Sequence, residues 1–423
     1  MIGRPDSHKR AQPEVEVVAM SAAVLDTERT ETLALIPAFI VVAADATGLG
    51  IILPLLPFYA QKLGATPFVF GSLVSIYALC QLVAGPILGL LSDKYGRKRV
   101  LIASQTGTFF GLVLLASSSS LILVFLSRII DGLTSGNISV AHAYAAEHSS
   151  ASDRKLALGA TSGAIGTGLF IGPAISGLLV QFGTTASIWV AALLSLISIA
   201  ASLLLLPAEH LTSAIAFDTE KFMKLNAFPD ILSSARTWRV LGLLALFFFA
   251  FSMFMSQAAF FLSARFTWQG HPFGTRELGA VFAYAGLMNF FVQMILMRHA
   301  SQWTSDKTIV LSSFALMAIG FLGLSASSKV ELLALFLTLD FVGSAFLRPT
   351  LVAELSRSVP LSRLGTIMGL NQSLMSIANI VAPLVGGALI GRGWYTSWAM
   401  LAAVLAACGA MATIGLVRGA DEG

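Results

Sequence analysis

Charged residues are scarce in this chain, and their scarcity excludes a water-soluble globular protein. They make up 11% of the 423 residues, against roughly 25% in ordinary soluble domains, while hydrophobic residues make up 56%. So few charges cannot cover the water-facing surface of a chain of this length, and we predict an all-α polytopic membrane protein. The net charge of +4 then reflects Lys and Arg in loops at the membrane surface rather than nucleic-acid binding.

Cysteine and catalytic motifs are also rare, which excludes several classes of enzyme. The two cysteines, Cys80 and Cys408, lie in apolar segments far apart in sequence, so buried small residues are favoured over a disulfide or a metal cluster. The chain has no nucleotide loop of the GxxxxGK[ST] type, no cluster of metal-ligating His and Cys, and no nucleophile elbow. We therefore predict that the protein is not an enzyme and has no catalytic residues, no metal and no bound cofactor.

Apolar runs long enough to cross a bilayer, about 20 residues each, occur twelve times. The predicted spans are 33–56, 68–91, 100–116, 120–143, 157–180, 184–206, 240–263, 277–297, 308–326, 331–353, 364–388 and 394–417. With both termini in the cytoplasm, 19 of the 26 Lys and Arg residues lie on the cytoplasmic side and five on the opposite side, an asymmetry typical of membrane proteins. This favours a multi-pass protein of the bacterial inner membrane with both termini cytoplasmic.

A polar stretch from Pro207 to Arg239 separates six spans from six. The predicted divisions are a disordered cytoplasmic tail 1–32, an N-terminal six-helix bundle 33–206, a cytoplasmic linker 207–239, a C-terminal six-helix bundle 240–417 and a cytoplasmic tail 418–423. The halves also repeat, because Gly159, Pro173 and Gly177 recur 210 residues later as glycine, proline and glycine. Two six-helix pseudo-repeats are typical of transporters that hold their substrate between the halves, near the bilayer midplane.

The segment Gly89–Arg99, GLLSDKYGRKR, joins the second and third spans. Any cytoplasmic turn attracts Lys and Arg, but topology alone leaves the glycines on either side of Asp93 unexplained. The pattern resembles the signature loop between helices 2 and 3 of the major facilitator superfamily. That resemblance implies a gate in which Asp93 caps the helix starting near Leu364–Gly369 and Arg97 pairs with Glu147, which closes the cytoplasmic side. The predicted gating residues are Gly89, Asp93, Gly96, Arg97, Lys98 and Glu147.

Two further segments carry the same resemblance. In the first span, the segment DATGLGIILPLLP that begins at Asp45 resembles the D-x-x-G-x-G-x-x-x-P-x-L-P of tetracycline-efflux proteins. In the fifth span, the chain resembles the antiporter motif of drug:proton exporters, with Ser176 in place of one glycine. The motif residues are Gly159, Gly168, Gly172, Pro173 and Gly177. The resemblance implies a helix that lies against the other half and export in exchange for protons, although close helix packing alone also explains the glycines.

Charged residues inside the spans are the candidates for function. Arg128 and Asp131 lie three residues apart on one helix face, and charges at membrane depth usually face a partner or a cavity. They form either a structural ion pair or a proton-coupling pair. Asp340 is a further acid, and Arg348 follows it by about two helical turns. We predict that Asp45, Arg128, Asp131 and Asp340 carry protons or bind substrate.

Several uncharged polar residues also lie within the spans, where a central cavity could be lined. These cavity candidates are Tyr77, Gln81, Asn137, Gln257, Tyr284, Asn289, Asn371 and Gln372. Each of them is equally compatible with helix packing or with hydrogen bonding between helices.

Together these features predict a secondary active transporter of the drug:proton antiporter type. It would export a small organic molecule or drug by alternating access, with a proton gradient as the only energy source. The alternatives are a proton-coupled importer, an exporter of an endogenous metabolite or metal chelator, and a non-transporting membrane scaffold or sensor. The expected partners are the small-molecule substrate, protons and the lipid bilayer, with no nucleic acid, and the expected state is a monomer.

Overall fold

The computed structural model describes residues 39–136, 140, 144, 154–206, 234–360 and 363–418. Its helices are α1 (Phe39–Lys62), α2 (Pro67–Tyr95), α3 (Arg97–Ala116), α4 (Leu121–Leu133), α5 (Arg154–Leu179), α6 (Thr184–Leu205), α7 (Ala235–Arg265), α8 (Thr275–Ala300), α9 (Asp306–Ala326), α10 (Val330–Arg357), α11 (Leu364–Gly391) and α12 (Tyr395–Arg418). Within these ranges, eleven helices are long and apolar enough to cross a membrane, and a further helix, α4, has 13 residues. The chain is therefore a multi-pass membrane protein.

The helices begin and end close to the predicted spans, with two corrections. Helix α1 continues to Lys62 instead of ending at residue 56, because a membrane helix tolerates proline where its neighbours compensate for the lost backbone hydrogen bond. The predicted linker 207–239 is too long, since α7 already begins at Ala235. There the side chain of Ser234 accepts a hydrogen bond from the backbone N–H of Thr237 at 3.5 Å, which caps the first turn.

A small β-hairpin departs from the all-α prediction. Strands β1 (Thr267–Trp268) and β2 (His271–Pro272) pair antiparallel between α7 and α8. The two turn residues, Gln269 and Gly270, have φ angles of 50° and 85°, and positive φ at both central positions is typical of a two-residue hairpin turn. The hairpin packs on α7, at the end of the helices where the two halves of the molecule meet.

The two halves meet at one end of their helices. Helix α2 packs on α11, and α5 packs on α8. A methyl group at Gly387 of α11 would lie 2.5 Å from the carbonyl oxygen of Pro67, and one at Gly279 of α8 would lie 2.9 Å from the carbonyl oxygen of Pro173. Only glycine allows backbones to approach so closely, so these positions hold the halves together at this end, which we call the closed end.

The same helices separate toward their other ends. Several glycines of α2, α5 and α11 lie farther from the closed end, and a methyl group added to any of them would have no neighbouring-helix atom within 4 Å among the residues described. They are Gly85, Gly89, Gly163, Gly166 and Gly369. Among the described residues, the halves are thus in contact at the closed end and have no such contact at these five positions. We call the space between the halves the cleft, and its far end the open end.

Candidate functional site

An ion pair lies inside the N-terminal half, on α4. Arg128 Nη1 is 3.1 Å from Asp131 Oδ2, and the two side chains are only 5% and 10% exposed. The guanidinium also lies 5.9 Å from the ring centroid of Tyr77 on α2, within the range of a cation–π contact. Asp131 is thus the counter-ion that allows Arg128 to be buried, while the Nε and Nη2 atoms of Arg128 have no hydrogen-bond partner among the described residues.

Two of the predicted cavity residues belong to the same neighbourhood. The hydroxyl of Tyr77 lies 2.9 Å from Ser135 Oγ, and Gln81 Nε2 donates to the same oxygen at 2.8 Å. Ser135 lies two residues after the last residue of α4, so these bonds join α2 to the segment that follows α4. The sequence analysis missed Ser135, because a serine beside a glycine after a helix carries no signal of its own.

Asp131 has a structural counterpart in the C-terminal half. A methyl group at Gly111 of α3 would lie 3.2 Å from the Asp131 Cβ, and one at Gly320 of α9 would lie 3.2 Å from the Asp340 Cβ. Each acid is thus packed against a glycine of the preceding helix. The glycines are 209 residues apart in sequence, and so are the acids, so the pseudo-repeat places Asp131 and Asp340 at equivalent positions.

The two acids differ in that Asp131 has a cation beside it and Asp340 has none among the described residues. At the position equivalent to Arg128, again 209 residues on, the C-terminal half has Leu337, which is buried. Asp340 is fully buried, and neither of its carboxylate oxygens has a hydrogen-bond partner among the described residues. Asp340 does not pair with Arg348, since the Arg348 guanidinium instead contacts Met375 Sδ at 3.8 Å.

Asp45 lies half-buried on α1, beside a close contact with α5. A methyl group at Gly168 would be 2.6 Å from the backbone nitrogen of Thr47, and one at Gly172 would be 2.6 Å from its carbonyl oxygen. These two glycines therefore lie against α1 of their own half, whereas the resemblance led us to expect the other half. Gly177 does reach the other half, at Gly279 of α8.

The remaining two residues of this motif share the same helix. Gly159 and Pro173 both lie within α5. The carbonyl of Pro173 is one of the atoms closest to α8, so the motif spans two contacts, one with α1 and one with α8.

The predicted gating loop forms a local ion pair. Asp93 Oδ1 and Arg97 Nη2 are 2.6 Å apart, and Arg97 also donates to Ser92 Oγ at 2.5 Å. Gly96, with a φ of 91°, makes the turn between α2 and α3. Among the described residues, no hydrogen bond joins Asp93 to the start of α11. Glu147, the predicted partner of Arg97, lies outside the described residues.

Lys98, predicted to take part in gating, has a different position. Its ammonium group donates to the carbonyl oxygens of Leu203 at 2.9 Å and Leu206 at 2.5 Å. It therefore caps the C-terminal end of α6, where the helix dipole favours a cation. Gly89, also in the predicted set, accepts a hydrogen bond from Ser92 Oγ at 2.7 Å through its carbonyl oxygen.

Gln257 joins the halves at the closed end instead of lining a cavity. It is fully buried on α7, and its amide nitrogen lies 3.3 Å from the carbonyl oxygen of Pro67 and 3.2 Å from that of Pro383. Ser75 of α2 adds a second bridge, donating to the carbonyl oxygen of Ile380 at 2.6 Å. Pattern reasoning could not find these bonds, because both acceptors are backbone groups of distant segments.

The other cavity candidates are distributed over several environments. Tyr284 hydrogen-bonds Thr338 at 2.8 Å inside the C-terminal half, and Asn289 accepts from Gln293 on its own helix at 2.6 Å. Asn371 is half-buried and Gln372 exposed, both on α11. Asn137 lies outside the described residues. In the described part of the chain, no group of three or more His, Cys, Asp or Glu side chains could hold a metal ion.

The arrangement of two helical halves is also found in a known protein family, which sequence comparison identifies. The sequence profile of the Major Facilitator Superfamily matches residues 38–311. The chain belongs to the Major Facilitator Superfamily. Among superfamily members of known three-dimensional structure, the nucleoside transporter NupG has a TM-score of 0.75 at 13% identity, covering 91% of this chain and 99% of its own. That likeness concerns the fold alone.

Sequence relatives of the chain are named for resistance to drugs. The chain is 29% identical to "Tetracycline resistance protein, class H" of Pasteurella multocida, over 82% of this chain and 86% of the relative. It is 27% identical to "Multidrug resistance protein 2" of Bacillus subtilis (strain 168), over 81% of this chain and 85% of the relative. The predicted twelve-helix facilitator fold in two six-helix pseudo-repeats is confirmed.

Proposed function

We propose that this facilitator exports small organic molecules, including drugs, in exchange for protons. The observation that carries the proposal is the cleft between the halves, closed at one end and open at the other, with charged side chains at mid-depth on the helices around it. Relatives named for tetracycline and multidrug resistance support export as the direction and drugs as the cargo. No bound cofactor is needed, because the proton gradient supplies the energy.

The orientation of the cleft follows from the distribution of Lys and Arg. The gating loop lies at the open end, and its basic residues favour the cytoplasmic side of the bacterial inner membrane, with both termini on that side. The structure then corresponds to the inward-open state of an alternating-access cycle. An Asp93 that pairs with Arg97 within its own loop is what we expect of a cytoplasmic gate that has released α11.

The two equivalent acids suggest a division of labour in proton coupling. Asp131 faces the permanent positive charge of Arg128 and stays ionised as its counter-ion. Asp340 has no such partner among the described residues, and a buried carboxylate without one is expensive at membrane depth. We assign Asp340 as a proton-binding group that is protonated in this conformation, with Asp45 of α1 as a second acid close to the α1–α5 contact.

Transport in proteoliposomes tests the proposal directly. Purified protein is reconstituted with a pH-sensitive dye inside, tetracycline is added outside, and a pH gradient is imposed in either direction. We expect tetracycline movement coupled to counter-movement of protons, which Asp340→Asn abolishes. Asp306→Asn is the matched control, because Asp306 pairs with Arg357 at the end of a helix, and it should transport like the wild type.

The outcomes separate the alternatives. Co-movement of tetracycline and protons in the same direction would indicate an importer. Full proton coupling in both Asp45→Asn and Asp340→Asn would remove these acids from the mechanism. Unchanged cellular function in the double variant, without flux of any tested compound in the wild type, would favour a scaffold or sensor.

A further inference from the structure

One face of α10 is buried along its length except at Arg348. Positions 337, 341, 344, 348, 351 and 355 recur every three or four residues and so lie on one side of the helix. Five of these six side chains are at most 8% exposed, whereas Arg348 is exposed. The exposed residues on the opposite side of α10 are apolar, such as Leu332 and Leu335. Arg348 therefore faces an opening inside the protein.

The guanidinium of Arg348 has no acidic partner among the described residues. Its one polar contact there is Met375 Sδ at 3.8 Å, and a thioether is a weak acceptor for a group with five N–H donors. Asp340 lies eight residues earlier, about 12 Å along the helix axis. Glu354, the nearest acid toward the other end, pairs with Arg236 at 2.6 Å. Arg128 of the other half, by contrast, has its counter-ion.

The contact with Met375 places this opening in the cleft. Met375 lies on α11, the helix that meets α2 of the other half at the closed end through Gly387. Toward the open end of the same helix, Gly369 has no neighbouring-helix atom within 4 Å in the described part of the chain. Met375 lies between these two positions. Arg348 thus reaches the cleft on the inner side of the closed junction, at a depth accessible from the open end.

We propose that Arg348 binds an anionic group of the transported molecule, most simply a carboxylate, within the cleft. A planar guanidinium matches the two oxygens of a carboxylate and forms charge-assisted hydrogen bonds with it. An arginine without a counter-ion at membrane depth is otherwise unfavourable, and a carboxylate would satisfy it. That the anion belongs to the transported molecule rests on the proposed function, whereas the binding of an anion by Arg348 does not.

Binding of a matched pair of ligands tests the inference without a proton gradient. 1-Naphthoate and 1-naphthamide have the same aromatic body and differ in the carboxylate. Their affinities are measured by calorimetry on protein in nanodiscs, with empty nanodiscs subtracted. We expect the wild type to prefer the naphthoate by about tenfold or more, the scale of one charge-assisted pair. Arg348→Gln should remove this preference, and Arg348→Lys should keep part of it.

The control variant is Arg357→Gln, which removes a cation from the same helix at its exposed end. It should bind both ligands like the wild type, and thermal unfolding should show that all variants are folded. A wild type without preference, an Arg348→Gln variant that keeps it, or an Arg357→Gln variant that loses it would each overturn the inference. If the preference is present but proteoliposomes show no proton-coupled flux, the proposed function fails while the anion site remains.

Discussion

The unequal surroundings of Asp131 and Asp340 predict that the same substitution changes stability strongly at one position and little at the other. Asp131→Asn removes the counter-ion from a guanidinium that is 5% exposed. Breaking a buried ion pair from one side typically costs about 3–5 kcal/mol, because a charge is left uncompensated. The contact with the ring of Tyr77 is present with either side chain at position 131 and so does not change this difference. We therefore expect Asp131→Asn to lower the free energy of unfolding by about 3–5 kcal/mol.

Asp340→Asn changes no ion pair and no hydrogen bond of the described residues. The amide has nearly the same shape as a protonated carboxyl, so we expect a change within about 1 kcal/mol, at the low end of what an unsatisfied buried group contributes. Unfolding by sodium dodecyl sulfate in mixed micelles measures both values. Reversible transitions and equal cooperativity must be verified for each variant.

A double-mutant cycle provides the control for this prediction. Arg128→Gln combined with Asp131→Asn removes both charges, and the double variant should be more stable than Asp131→Asn alone. If Asp131→Asn is as stable as the wild type, the ion pair does not compensate Arg128. If Asp340→Asn is destabilised as strongly as Asp131→Asn, Asp340 is the ionised partner of a cation and the assignment of its proton is wrong.

Three further predictions concern the closed end and the loop. Gly387→Leu places side-chain atoms where the backbone of α2 lies, so it should open the closed end and increase maleimide labelling of a cysteine introduced by Ser75→Cys. Gly391→Leu is the control, because a side chain at position 391 has open space, and it should leave the labelling unchanged. Gln257→Leu removes both hydrogen bonds to backbone carbonyls and should increase the same labelling by about tenfold, corresponding to about 1–2 kcal/mol; unchanged labelling would show that these bonds do not hold the halves together. Lys98→Met removes the cap of α6 and should lower stability by about 0.3–1 kcal/mol at low salt, with a smaller loss at high salt; a loss independent of salt would point to packing instead.

Much of the fold was predictable because the membrane restricts the possible structures. Because the bilayer core contains no water, a chain that crosses it must satisfy its backbone groups within helices. Twelve apolar runs therefore predict twelve helices, and most of the described helix ends lie within four residues of the predicted ones. Errors occurred where the chain leaves the bilayer, at Lys62, at Ala235 and at the hairpin after α7. There, capping and turn residues such as Ser234 and Gly270 decide the structure, and hydropathy carries no information about them.

The candidate site was predictable only in part. Charges are so unfavourable in a membrane that Arg128, Asp131 and Asp340 attract attention from sequence alone. Their partners do not follow from sequence, since Asp131 has an arginine one helical turn away and the equivalent Asp340 has Leu337. Gln257 illustrates the same limit, because its two hydrogen-bond acceptors are carbonyl oxygens of Pro67 and Pro383.

The amino-acid sequence by itself determined the membrane location, the number of helices, the repeat of the halves and the family resemblance, because hydropathy and glycine or proline spacing are local properties of the chain. Tertiary structure alone decided which end of the cleft is closed, that Asp93 pairs with Arg97, and that Arg348 is an exposed cation on a buried helix face. These features depend on which backbones approach within van der Waals distance, and such contacts join residues hundreds of positions apart.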